Sequence, residues 1–313
     1  MRALNIPAAG ESPILSEVPT PEVSPGKVLI KVKAASLNPI DTAIAAGMLA
    51  QMMPHEYPLV LGRDAAGVVE AVGEGVGHVA VGDAVIGHEL LVPPVQAGTI
   101  AEYALLPAET VTHKPAGLDF TAAAALPLAS AAAAVAIDAV DPQPGSTVLV
   151  NGASGGVGSY AVQLLKARGV TVIATGRPED SERLIRLGAE HVIDYTAGDV
   201  ADKVRTIYPN GGDALIDLAS YTPDSLPLAA LRKGAKVAST NSAADPDTLS
   251  AQGFSGANIM GHALREVIAP LAAQAASGDL TIDVQQVYAF DDAESGFAEL
   301  SKGHTAGKLV IQI

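Results

Sequence analysis

Cysteine and tryptophan are both absent from this chain of 313 residues. Without cysteine there is no disulfide and no thiolate metal site. Redox chemistry therefore says nothing about the compartment. Basic residues are also scarce. There are 19 lysines and arginines against 34 aspartates and glutamates, a formal net charge of −15. Nucleic acid and anionic membrane both repel such a surface, so neither is expected as a partner. An anionic ligand must be met by local donors rather than by the overall field. No apolar run reaches the length of a membrane-spanning helix. The nearest is 122–137, which is short, rich in alanine and interrupted by Pro127 and Ser130. It reads as a buried helix of small residues. The N-terminus lacks the apolar core of a signal peptide, and the expected location is the cytoplasm. Internal repeats, low-complexity stretches and charge blocks are missing too.

What is present is an ordinary globular composition, 49% hydrophobic and 17% charged, and enough chain for two domains. The most informative stretch is 148–159, VLVNGASGGVGS, which continues into the amphipathic segment 160–168. An apolar run turns through glycines directly into a helix. A dinucleotide needs that order. The strand delivers the chain to the sheet edge, glycines let backbone N–H groups approach a pyrophosphate, and the helix N-terminus adds unpaired donors and partial positive charge. The spacing is Ala153-x-Gly155-x-x-Gly158, with alanine in place of the usual first glycine and Gly156 extra. Alone this signal is weak, so its context matters. Further strands are expected at 171–175, 191–194, 213–217 and 235–239. They are separated by helix-compatible segments such as 181–187 and 226–231. Such alternation implies an α/β fold with a doubly wound parallel sheet, a Rossmann domain.

Residues 1–117 read differently. Short β-like runs at 27–33, 67–72, 83–86 and 100–106 are punctuated by turn residues such as Gly26, Gly75 and Gly82. The tail repeats this character at 283–288 and 307–313. We therefore expect a β-rich, barrel-like catalytic domain from 1–117 and 263–313. The Rossmann dinucleotide-binding domain, 118–262, would be inserted into it, with ligand in the cleft between them.

Several motifs in sequence order carry a resemblance. They are Asn38-Pro39-x-Asp41, Gly62-Arg63-Asp64 running on to Gly67 and Gly73, and Gly82-Asp83. After these come Leu126-Pro127-Leu128-Ala129, Leu187-Gly188-Ala189, Val192 to Tyr195, and the closing Gly307-Lys308. Together they resemble the medium-chain dehydrogenase/reductase superfamily, and within it the zinc-free quinone oxidoreductase, or zeta-crystallin-like, branch. The resemblance spans essentially the whole chain and implies a Rossmann domain inserted into a GroES-like domain. Zinc-using relatives carry a cysteine, a Gly-His-Glu block and four structural cysteines. Here the block reads Gly62-Arg63-Asp64, so no zinc is expected. The seven histidines show no paired ligand spacing, and the side chains of His55-Glu56 and His88-Glu89 should diverge.

NADPH is expected over NADH. The second Rossmann strand ends at Thr175-Gly176-Arg177 with no carboxylate at its tip, and Arg177 offers a planar fork for a 2′-phosphate. Glu179 and Asp180 follow and weaken that positive field. The resemblance adds Tyr195 near the adenosine phosphate. Phosphate-side candidates are thus Ser154, Gly155, Gly156, Val157 and Gly158, together with Thr175, Gly176, Arg177 and Tyr195. Nicotinamide-side candidates are Ala219, Ser239 and Thr240, on loops after later strands, where turn chemistry is the competing explanation. The resemblance puts Asn38 near the nicotinamide and Asp41 near the substrate, making both candidate catalytic residues. Alternatively, both hold a tight turn beside Pro39. Asp64 reads as a structural acceptor for backbone donors.

Two departures shape the expected reaction. Relatives with a proton-donating tyrosine carry it where this chain has Ala43, and a threonine-bearing segment is replaced by Ser130 to Ala134. A quinone or an α,β-unsaturated carbonyl demands less of a protein than an alkoxide does, so hydride transfer to a quinone or enone is the leading expectation. The alternatives are an enoyl-thioester reductase and an NADPH-binding protein without catalysis. The resemblance further implies a homodimer, with 252–260 as a candidate contact.

Overall fold

The computed structural model describes residues 1–313. The chain divides into two compact units, Met1–Leu128 with His262–Ile313, and Ala129–Gly261. In chain order the first unit holds β1 (Arg2–Ile6), β2 (Ile14–Glu17), β3 (Lys27–Leu37), α1 (Pro39–Ala45) and β4 (Leu59–Val60). It continues with β5 (Asp64–Val72), β6 (Ala84–His88), β7 (Tyr103–Pro107), β8 (Thr112–His113) and α2 (Phe120–Ala124). Helix α3 (Pro127–Val140) leads into the second unit. There follow β9 (Thr147–Asn151), α4 (Gly156–Ala167), β10 (Thr171–Gly176), α5 (Ser181–Leu187), β11 (His191–Asp194) and α6 (Val200–Ile207). That unit closes with β12 (Gly212–Asp217), β13 (Leu231–Ser239), α7 (Pro246–Ala251) and β14 (Ser255–Asn258). The chain returns to the first unit through α8 (Arg265–Ser277), β15 (Val284–Ala289), α9 (Ala293–Ser301) and β16 (Lys308–Gln312).

The first unit is built around β3. Over Lys27 to Ala34 its residues alternate, with Val28, Ile30 and Val32 buried and Lys31 exposed, the period expected of a strand with one face in a core, and from Ala34 to Leu37 every residue is buried. It pairs antiparallel with β5 along its length, and with β7 and β16 on successive stretches of its other edge. The sheet runs β15-β16-β3-β5-β6-β8, and a smaller sheet runs β2-β1-β4. Ile30, Leu37, Val69, Leu106 and the tail residues Leu309 and Ile311 share one core. Burying each such side chain contributes about 1.5–3 kcal/mol.

In the second unit six parallel strands run β11-β10-β9-β12-β13-β14. This is the doubly wound order, which reverses direction between β9 and β12. The central strands are apolar on both faces, as helix-covered parallel strands must be. Leu149, Ile173, Leu215 and Val237 form the core on one side. Helix α4 buries Tyr160, Ala161 and Leu165 and ends among Lys166 and Arg168.

Two sequence expectations change. The run 122–137 is two helices rather than one, because Pro127 opens α3, a position where its missing N–H costs nothing. Residues 226–231 are not helical. Only a single 3₁₀ turn, Leu228–Ala230, precedes β13. Pro223 and Pro227 remove donors, and the segment is too short to nucleate a helix. No helix is long and apolar enough to cross a membrane.

Candidate functional site

Between β9 and α4 the chain turns from sheet to helix in four residues. Gly152 adopts a φ of 86°, which disfavours any side chain, and Gly155 caps α4. The backbone N–H groups of Gly156, Val157 and Gly158 have no partner in the protein. A helix always leaves its first donors free, and here they sit at the positive end of a helix of 12 residues. The two flanking glycines differ in purpose. A Cβ on Gly158 would lie 2.5 Å from Ala153 Cα and from the Gly152 oxygen, so this glycine lets α4 close on the loop. A Cβ on Gly155 would find only the Gly152 oxygen, at 3.8 Å. Gly155 therefore keeps a space open beside the free donors. Ser154 is tied down by its carbonyl, which accepts from Arg183 Nη2 at 2.9 Å. Arg183 also binds Asp180 at 2.9 Å. Nothing in the local sequence pattern pointed to this guanidinium.

At the tip of β10, parallel pairing sets Gly176 beside Asp194. The next residue on each strand then meets its counterpart. Arg177 Nε donates to Tyr195 Oη at 3.1 Å. Both side chains are about a third exposed, at 38%. The tyrosine hydrogen bond is the main cause raising the Arg177 pKa, with Glu179 and Asp180 adding less. The phenol orients the guanidinium, and the nearest carboxylate, of Glu179, stands 3.9 Å away. Gly176 is buried, and a Cβ there would meet Leu184 Cδ1 at 2.7 Å.

Thr175 and Ser239 lie deeper than the sequence suggested, at 1% and 0% exposure. Thr175 Oγ1 accepts from Gly152 N at 2.8 Å and donates to Asn151 Oδ1 at 3.0 Å. Ser239 Oγ donates to Asp217 at 3.3 Å. Their hydroxyls are used inside the protein. Thr240 N donates to the Asp217 carbonyl at 3.2 Å, and Ala219 is exposed.

In the first unit a second polar group gathers on the carboxylate of Asp64, which is fully buried. The register across β3, β5 and β6 sets Ser36, Asp64 and His88 in one row. Asp64 accepts from His88 Nδ1 at 2.8 Å, Asn38 Nδ2 at 2.9 Å, Ser36 Oγ at 3.2 Å and Leu128 N at 3.1 Å. Burial works to raise its pKa. The His88 bond and charge, Lys308 and Asn38 outweigh that and hold it below the usual carboxylate range. Its donors are mainly side chains, where backbone donors were expected. Lys308 is buried beside it and donates to the carbonyl of Leu37 and to Asn38 Oδ1. Burial lowers the Lys308 pKa, against Asp64 and Asp41. Asn38 is thereby gripped at both ends of its amide, with one Nδ2 hydrogen left over.

Asp41 has a turn-holding position. One oxygen accepts from Asn38 N at 2.8 Å and the other from Gly62 N at 3.1 Å. It has no exposed surface, and burial pushes its pKa up to about 6 despite nearby Arg63. The geometry favours the turn reading of Asp41 over that of a proton donor. Sequence alone assigns His88, Lys308, Asn151 and Asp217 no role in a site, although Lys308 closes one motif and His88 belongs to a His-Glu pair. Their importance comes from strand register, which no local motif spells out.

A family model described as the alcohol dehydrogenase GroES-like domain matches residues 24–116, and one described as zinc-binding dehydrogenase matches residues 187–311. The NADPH-dependent alkenal/one oxidoreductase of Arabidopsis thaliana chloroplasts is 31% identical over 303 residues, covering 95% of this chain and 74% of that protein. This chain belongs to the medium-chain dehydrogenase/reductase superfamily. Mouse mitochondrial NAD(P)H oxidoreductase RTN4IP1 is 38% identical over 200 residues, covering 58% of this superfamily member. The match takes in 50% of the mouse protein, so the chain spans about half the length of that relative. The solved structure of the quinone oxidoreductase from Coxiella burnetii superposes with a TM-score of 0.90 at 29% identity, covering 100% of this chain and 99% of that one.

Zinc in this superfamily needs ligands converging on one point. This member has no cysteine, and no three His, Asp or Glu side chains are placed to share an ion. Arg63 is instead a buried guanidinium donating to the Ala97 and Val60 carbonyls. The residues present do not fit a zinc site. They do fit a dinucleotide, through the free N–H groups of α4, the open space at Gly155, and the Arg177–Tyr195 pair.

Proposed function

We propose that this protein is an NADPH-dependent, zinc-independent oxidoreductase that reduces a quinone or an α,β-unsaturated carbonyl. The observation that carries this reading is the pairing of Arg177 with Tyr195 beside the unpartnered N–H groups of Gly156, Val157 and Gly158. A diphosphate suits the helix terminus, and a 2′-phosphate suits a guanidinium already oriented by a phenol. The names of the Arabidopsis and Coxiella proteins support the same cofactor class and the same acceptors. When bound, NADPH would supply the hydride, and the protein supplies geometry and polarity.

Within this reading, Asp64 and Lys308 hold the Asn38 amide in one orientation, and its remaining N–H donates to the acceptor's oxygen. Asp41 keeps the turn that carries Asn38. Protonation of the reduced product falls to water, since Ala43 supplies no acid. Gly155, Gly156, Val157 and Ser154 face the diphosphate, and Ala219 and Thr240 the nicotinamide half. The edge of β14, within the 252–260 segment, supports a homodimer, and we place the protein in the cytoplasm.

The test is purified, chelator-treated protein mixed with NADPH or NADH and a panel of quinones and enones, followed at the dihydronicotinamide absorbance. Turnover with NADPH, much weaker with NADH, is expected. Tight NADPH binding with no turnover on any acceptor would instead identify a cofactor-binding protein. Activity that returns only with added zinc would end the zinc-independent reading.

A further inference from the structure

The order of the six-stranded sheet reverses between β9 and β12, and ligands bind beyond the strand ends at such a point. A chain of hydrogen bonds crosses the sheet there. Gly152 N donates to Thr175 Oγ1 at 2.8 Å, which leaves the threonine hydroxyl to donate to Asn151 Oδ1 at 3.0 Å. The orientation of the Asn151 amide is then settled, and its Nδ2 donates to Asp217 Oδ1 at 2.7 Å. A second arm arrives from the other side. Asn241 N donates to Ser239 Oγ at 3.3 Å, so the Ser239 hydroxyl donates to Asp217 Oδ2 at 3.3 Å. Ser220 adds its N at 3.1 Å, and its Oγ lies 2.9 Å from Asp217 Oδ1 and 3.1 Å from the Ser225 carbonyl, two acceptors for its one hydrogen.

Each arm begins at a backbone N–H, and that donor sets the direction of every bond after it. Both arms must end on an acceptor that donates nothing. Asp217 is that acceptor, and all its partners are uncharged donors. An asparagine at 217 has one acceptor oxygen, so it can terminate one arm but meets the other with its own N–H. One arm starts in the phosphate loop and the other in the loop after β13. Thr175 and Ser239 are both buried and have no bond to each other.

We propose that Asp217 is a positioning residue that couples the phosphate loop to the loops after β12 and β13, so that ordering one end of the cofactor orders the other. The inference rests on the reading that this unit binds NADPH. It would make the two halves of the dinucleotide grip one cooperative unit.

Calorimetric titration with NADPH and with 2′-phospho-ADP-ribose, which has no nicotinamide, tests it. Ser239→Ala, Thr175→Val and the double variant are compared, each with Asp217 and with Asp217→Asn. Thermal melts establish which variants are folded. Ser239→Ala is expected to weaken 2′-phospho-ADP-ribose on the order of fivefold, although that ligand has nothing to place near Ser239. The double variant should lose less than the product of the single losses. In Asp217→Asn, Ser239→Ala should add nothing. Unchanged affinity for 2′-phospho-ADP-ribose in Ser239→Ala, or losses that multiply, overturns the coupling and leaves the cofactor reading intact. A wild-type protein that binds neither ligand overturns both. Should Asp217→Asn not fold, the Thr175 and Ser239 variants alone decide the outcome.

Discussion

Arg177 and Tyr195 are distant in sequence, yet the pairing of β10 with β11 makes them neighbours, and the phenol fixes where the guanidinium points. Arg177→Ala is expected to reduce the preference for NADPH over NADH on the order of tenfold while barely changing NADH affinity, because only the 2′-phosphate needs the fork. Paired titrations with the two nucleotides check this. Asp41 leads to a prediction about stability. Its pKa is raised from 3.8 to about 6, first by burial. Between those values the folded protein holds a proton that the unfolded chain has released, so stability falls as pH rises through that window. The loss amounts to about 3 kcal/mol. Denaturant melts at intervals from pH 4 to 7 should show a shallower fall in Asp41→Asn than in the wild type, the remainder coming from Glu89 and Asp217, whose pKa values burial also raises. Asp64 has the opposite sign. Its lowered pKa stabilises the fold fully above 3.8, and that contribution is lost only as pH falls below the window.

At the scale of one element, the start of α4 separates packing from binding. Gly158→Ala places a methyl against backbone at 2.5 Å, which cannot move aside as a flexible side chain would. A destabilisation of about 2 kcal/mol or more is expected, together with lost nucleotide binding. Gly155→Ala places its methyl in ordinary contact with the Gly152 oxygen, at 3.8 Å, and at a φ of −74°, which alanine accepts. Stability should change by less than about 1 kcal/mol, whereas NADPH affinity falls at least several-fold. Thermal melts and titrations on both variants check the contrast. Two variants with matched losses of stability and affinity would mean that Gly155 also serves packing. The segment 226–231 teaches a different lesson. Its leucines and alanines suit a helix, but Pro227 within it, Pro223 before it and the nearby start of β13 leave only a single 3₁₀ turn.

Over the whole molecule, β14 ends the six-stranded sheet with one edge unpaired. Three of its four residues are exposed, and Met260 just beyond is 60% exposed. Exposed strand edges invite pairing with another chain, and a second copy of this chain would place two identical edges together. Met260→Arg is therefore expected to shift the protein from dimer towards monomer in sedimentation velocity, without altering its melting temperature at low concentration by more than a few degrees. A wild type that sediments as a monomer at all concentrations refutes the pairing. The acidic surface adds a related expectation. With a formal charge of −15, copies repel at long range, so dimerisation should strengthen as salt screens that repulsion.

Patterns of short range were legible from the residues alone. Alternation in 27–33, the apolar run 148–150 and the glycines up to Gly158 depend on contacts within a few residues, so they announce a strand, a turn and a helix wherever they occur. The parallel Rossmann sheet and the phosphate loop follow from them. The absence of cysteine likewise settled the thiolate question without any fold. Register and burial were not legible. Nothing in Lys308 itself marks it as a buried partner of Asn38, and nothing in Asn151, Thr175, Asp217 and Ser239 shows that their strand ends lie side by side. Such contacts join residues far apart in the chain, and only the pairing of whole strands decides which side chains meet and which are removed from water.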